Sequence, residues 1–69
     1  GALRIEMKSN ESISSVKITN SLGAVVYNET ISDRVSSKNI SLVNVNNGIY
    51  FVEIKTAEKV YQKRLVIQN

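Results

Sequence analysis

The chain has 69 residues, 42% of them apolar, a net charge of +3, and no cysteine, histidine or proline. Those absences exclude a disulfide framework and any thiolate or imidazole metal site, and the apolar share is too high for a disordered segment. A chain this short buries only about 60% of its unfolded surface. A single domain, 1–69, is expected, and a bare one without disulfides reads as a module from a longer protein.

Residues 2–8 alternate, with Leu3, Ile5 and Met7 on one side and Arg4, Glu6 and Lys8 on the other, which predicts a strand with one solvated face. Ser9-Asn10-Glu11-Ser12 is a polar turn. Residues 14–19 repeat the alternation, Val16 and Ile18 inward, Lys17 and Thr19 outward. Asn20-Ser21-Leu22-Gly23 is a compact hairpin turn, with Gly23 suited to the left-handed position. The third strand, 24–30, places Val25 and Tyr27 on one face and Val26 on the other, so cover on both sides is expected. Residues 31–39 carry little pattern and read as a loop or a frayed edge strand; 39–43 is a short strand with Ile40 and Leu42 inward.

The densest β-forming run is Gly48-Ile49-Tyr50-Phe51-Val52-Glu53-Ile54, entered from the turn signal Asn46-Asn47-Gly48. Its period-2 pattern sets Tyr50, Val52 and Ile54 on a fully apolar face and Ile49, Phe51 and Glu53 on a mixed one. That pattern predicts a mid-sheet strand with its second face partly covered. Tyr50, a few residues past the turn, suits a tyrosine corner, in which the hydroxyl ties back to upstream backbone. Ala57-Glu58-Lys59 is a tight turn, and 60–68 is the last strand. Its parity is ambiguous: Tyr61, Leu65 and Ile67 share a face with Lys63, while Val60 and Val66 share the other with Gln62 and Arg64; a bulge would resolve the conflict. No window carries sustained helical spacing. The expected fold is all-β, a small antiparallel immunoglobulin-like sandwich of six or seven strands.

Chemistry is sparse. Glu6, Glu53 and Lys55 alternate with core positions and belong on solvated faces, and Asp33 beside Arg34 is an exposed loop pair of little energetic worth. No acidic loop suits calcium and no glycine cluster suits phosphate, so neither an enzymatic role nor a cofactor is expected. The nine basic residues are dispersed and not interleaved with aromatics, which points to wet strand faces and away from nucleic acid. Apolar runs are too short for a membrane helix, and an export signal, if the parent has one, is expected upstream. Asn10-Glu11-Ser12, Asn28-Glu29-Thr30 and Asn39-Ile40-Ser41 match the glycosylation pattern, as chance allows in a chain with eight Asn and nine Ser. Lys63-Arg64 before Leu65-Val66-Ile67 admits two readings: cations that protect a terminal edge strand, which is the default, or a recognition surface.

Three blocks stand in order: Val16, Ile18, Asn20, Gly23 and Val26; then Asn47-Gly48-Ile49-Tyr50-Phe51-Val52-Glu53-Ile54; then Lys59 through Lys63 to Leu65-Val66-Ile67. Together they resemble the C-terminal sorting domain, type A, of the type IX (Por) secretion system of Bacteroidota, over nearly the whole chain. One block alone is common among β-sandwiches; three in register are more specific. The family's usual Tyr-Pro-Asn-Pro-like opening is missing, consistent with a chain trimmed at its N-terminus. The resemblance implies a domain at the end of a larger secreted protein, exported through the periplasm to the cell surface or beyond. It would be read by outer-membrane secretion components and cut off by a sortase-like peptidase at a site upstream of residue 1. By position, Gly23, Gly48, Tyr50, Val52 and Ile54 are the fold-defining motif, and Lys63, Arg64, Leu65, Val66 and Ile67 are the candidate partner-recognition strand, with edge-strand self-association a further use of it. The competing reading is a fibronectin-like adhesion or carbohydrate-binding module, which needs an exposed aromatic platform; a plain structural spacer is a third.

Overall fold

A computed structural model describes residues 2–8 and 11–68, so Ser9 and Asn10 of the predicted polar turn lie outside the described residues. The chain forms six strands: β1 (Ala2–Glu6), β2 (Ile13–Asn20), β3 (Val25–Thr30), β4 (Ser37–Ser41), β5 (Gly48–Thr56) and β6 (Val60–Ile67). All pairings are antiparallel, β1–β4 making one sheet and β3-β2-β5-β6 the other. This is a small two-layer β-sandwich, as the alternation predicts.

β5 is an inner strand between β2 and β6. Its inward row pairs Ile54 with Val16 and Val52 with Ile18 on the β2 side, while Tyr50 stands opposite Asn20. Across the core these meet Ile5 of β1, Ile40 of β4 and Leu42 just beyond it, all buried. The side chains of two facing sheets thus interdigitate in a single layer, the arrangement that removes the most apolar surface from water in so short a chain. The mixed face of β5 is more open than expected, with Ile49 at 42% and Phe51 at 38% exposure. Among the described residues no third layer lies over it, since the second sheet covers the Tyr50, Val52 and Ile54 side.

Two irregularities interrupt the alternation, and the second revises the parity read from the sequence. The β2–β5 register slips between Ile13 and Ser15. Ser14 turns aside there, its hydroxyl donating to the Lys55 carbonyl at 2.9 Å, and Ile13 and Val16, three apart, both become buried. The β2–β3 register slips opposite Val26, with Ile18 facing Tyr27 and Thr19 facing Val25. Val25 and Tyr27 therefore do not share a face: Val26 and Tyr27 both pack on the core and Val25 is exposed. An extra residue in one strand inverts the alternation beyond it. By contrast β6 has no bulge, its pairing with β5 running unbroken from Val60 to Ile67. β4 begins at Ser37, two residues before the expected 39, because Ser37 and Lys38 pair through backbone with Glu6 and Ile5.

The turns behave as their residues dictate. Asn20 Oδ1 accepts from the backbone N–H of Leu22 and Ala24, the Gly23 N–H donates to the Asn20 carbonyl at 3.0 Å, and Gly23 has φ +88°. Gly48 enters β5 at φ +153°, a conformation that disfavours any side chain even though a Cβ there would meet nothing. The Tyr50 hydroxyl donates to the Asn46 carbonyl at 2.6 Å, so the tyrosine corner is present and fixes the turn before the central strand.

Candidate recognition surface

Lys63-Arg64-Leu65-Val66-Ile67 forms most of β6, which pairs with β5 on one side only and is an edge of the four-stranded sheet. An edge strand presents a row of backbone donors and acceptors to any further strand. The register divides the side chains. Lys63, Leu65 and Ile67 stand opposite Val52, Tyr50 and Gly48 on the core side, while Arg64 and Val66 stand opposite Phe51 and Ile49 on the outer face. Leu65 and Ile67 are half-buried against the core, while Lys63, Arg64 and Val66 are exposed. The ambiguous parity is thus settled without a bulge, because the core-facing side of an edge strand leaves room for an ammonium to reach water.

The outer face of this sheet is apolar at one end. Val66 pairs across to Ile49, and Phe51 to Thr19, which pairs in turn to exposed Val25. At the other end it is charged: Lys17 lies 3.7 Å and Lys55 3.9 Å from the Glu53 carboxylate. Of the four aromatics only Phe51 is exposed, which is not the ring platform a carbohydrate module needs.

Two polar clusters hold the sides of the sandwich. On one, Glu29 of β3 accepts from the Tyr27 hydroxyl and lies 3.2 Å from the Lys38 ammonium of β4. The hydrogen bond to Glu29, then burial and the nearby negative charge, push the Tyr27 phenol up to about 12; the Tyr27 and Lys38 contacts hold the Glu29 carboxyl below its usual range. On the other, Glu11 accepts from Thr56 Oγ1 at 2.8 Å and from the Tyr61 hydroxyl, so it clamps the β5–β6 hairpin to the segment before β2. The Glu11 bond is the main reason the Tyr61 phenol is raised. No residue pattern marks this clamp: a glutamate in a polar stretch looks solvated until the hairpin folds over it.

No three His, Cys, Asp or Glu among the described residues are placed to hold a metal. Asp33 and Arg34 are both exposed, with no ion pair between them. The glycosylation-pattern Asn28 and Asn39 are exposed on strands, and Asn39 accepts from Arg4 Nη1 at 3.1 Å; Asn10 lies outside the described residues.

Fold and surface together define a small two-sheet β-sandwich module with a free strand edge at β6. The chain matches the secretion system C-terminal sorting domain over residues 1–68, and it belongs to that family, the sorting domains of the type IX (Por) system. The family is not an enzyme family, and its members are signals read by the type IX machinery for export across the outer membrane to the cell surface or beyond. No curated protein and no solved structure matches the chain.

Proposed function

We propose that residues 1–69 are the address at the end of a larger secreted protein, and that β6 carries the address. The cargo crosses the periplasm with this domain folded behind it. An outer-membrane secretion component then recognises Lys63, Arg64, Leu65, Val66 and Ile67 by adding a strand to the free edge. A sortase-like peptidase afterwards cuts upstream of residue 1. The observation that carries this reading is that the family's terminal block falls on an edge strand with Lys63, Arg64 and Val66 exposed. Gly23, Gly48, Tyr50, Val52 and Ile54 serve it indirectly, by holding the sheet to which β6 belongs. Self-association through the same edge is the competing use of β6.

The test is a reporter fused ahead of this domain through its native linker, in a host that has the pathway. Export of the reporter, and its loss when 63–69 are removed, are expected. A reporter retained in the periplasm with the intact domain overturns the proposal.

A further inference from the structure

The two sides of the sandwich are closed unequally. Where β3 meets β4, the inward-facing Glu29 has its counter-ion in Lys38, and beside it the Ile13 N–H of β2 bonds across to the Val35 carbonyl of the segment leading into β4, at 2.9 Å. Where β6 faces β1, the Glu11 clamp holds one end only. The rest is a furrow of three adjoining hollows, of about 160, 250 and 430 Å³, running from Ala2 and Ile67 to Lys8 and Tyr61. Half-buried Leu3 and Met7 of the β1 side and Leu65 of β6 line it, with Ile54 at its floor. Both walls are strands paired on one side only.

The charges of this furrow are unbalanced. Lys8, Lys59 and Lys63 line its widest hollow, and none of the three makes an ion pair with another described residue; nor does Arg64 beside them. The carboxylates there are Glu11, held by two hydroxyls, and Glu6, which lies 3.3 Å from Arg4. Lys63 is thus the counterpart of Glu29, a charge turned toward the core at a sheet edge, but without the partner that Glu29 has.

Resting on the reading of β6 as the recognised strand, we infer that this furrow receives an extended acidic–apolar strand of a partner protein, laid along the free edge of β6. Cross-strand neighbours share a face, so the chemistry of the occupant follows position by position. Acidic side chains stand opposite Lys63 and Arg64. Apolar side chains stand opposite Leu65, Val66 and Ile67, and those on the inner side also cover Leu3 and Met7. A second copy of β6 does not fit this description: the strand contains no Asp or Glu, so every register leaves both cations without counter-charge.

The probe is a pair of capped nine-residue peptides centred on Val-Leu-Val-Glu-Asp and on the reverse order, titrated into the isotope-labelled 69-residue domain and followed by NMR. One of the two orders is expected to shift the amides of Leu65, Val66 and Ile67 together with those of Leu3, Ile5 and Met7. Lysines in place of the two acids should weaken binding about tenfold, and the Lys63→Glu, Arg64→Glu domain should reverse the preference. Failure of both peptides at millimolar concentration, shifts confined to the outer face around Ile49 and Phe51, or self-association alone would each overturn the inference. Loss of export in the charge-reversed domain without peptide binding leaves the export reading standing and removes the furrow; peptide binding in the furrow with normal export of that domain does the converse.

Discussion

Replacing Tyr50 by Phe isolates the tyrosine corner from the core. Tyr50 is 5% exposed, and its ring stays in place in the variant; only the hydroxyl, 2.6 Å from the Asn46 carbonyl, is lost. Asn46 is itself exposed, so its carbonyl can turn to water. The cost is therefore a net hydrogen bond, about 1 kcal/mol, and not the larger penalty of a buried orphan. In a domain of this size that lowers Tm by about 4–8 °C. Urea unfolding followed by circular dichroism measures it, with the m-value unchanged. Gly48 shapes the same turn at φ +153°, so Gly48→Ala should cost about 1–3 kcal/mol through strain alone. The double variant should lose less than the sum, because each change already loosens what the other fixes. A Tyr50→Phe domain as stable as the parent would refute the corner as a structural element. A loss above about 3 kcal/mol would show that the ring, not the hydroxyl bond, has been disturbed.

Ile18→Ala empties a fully buried site in β2 and should cost about 2–5 kcal/mol, a large part of the whole stability of a small domain, as read from the urea midpoint. Gly23→Ala should cost about 1 kcal/mol by thermal unfolding, from the left-handed φ alone, since a Cβ there meets nothing. Tyr27 holds its proton to about pH 12 in the folded state but from 10.0 unfolded, so the stability it contributes is complete below pH 10 and is lost as pH rises toward 12. Urea midpoints across that window should fall, and less steeply in Tyr27→Phe. The lowered Glu29 carboxyl acts in the opposite sense: its contribution is present above the ordinary carboxylate range and is lost as acid protonates it, so Glu29→Gln should flatten the acid limb of the same profile.

The alternation of apolar residues made β1, β2 and β5 legible because one face of each is buried and the period is two. The turn at Gly23 and the corner at Tyr50 were legible because few residues serve those geometries. What was hidden had no residue signature. The extra residue at Val26 turns two neighbours to the same side, yet nothing in Val-Val-Tyr marks it. The start of β4 is polar because backbone pairing to β1, not burial, defines it. Open exposure of Ile49 and Phe51 could not be read from a strand that is apolar on nearly both faces; which face is covered depends on where the second sheet lies. The position of Lys63 opposite Val52 resolved the last strand, since an edge position tolerates a cation where an inner one would not.

The most direct measurement is the exported fraction of a reporter carrying the Lys63→Glu, Arg64→Glu domain, taken beside its unfolding free energy. Both side chains are exposed, so stability should stay within about 0.5 kcal/mol of the parent, while export should be lost. Unimpaired export with the reversed charges, or an equal loss on reversing Arg34, an exposed cation away from the free edge, would contradict the account.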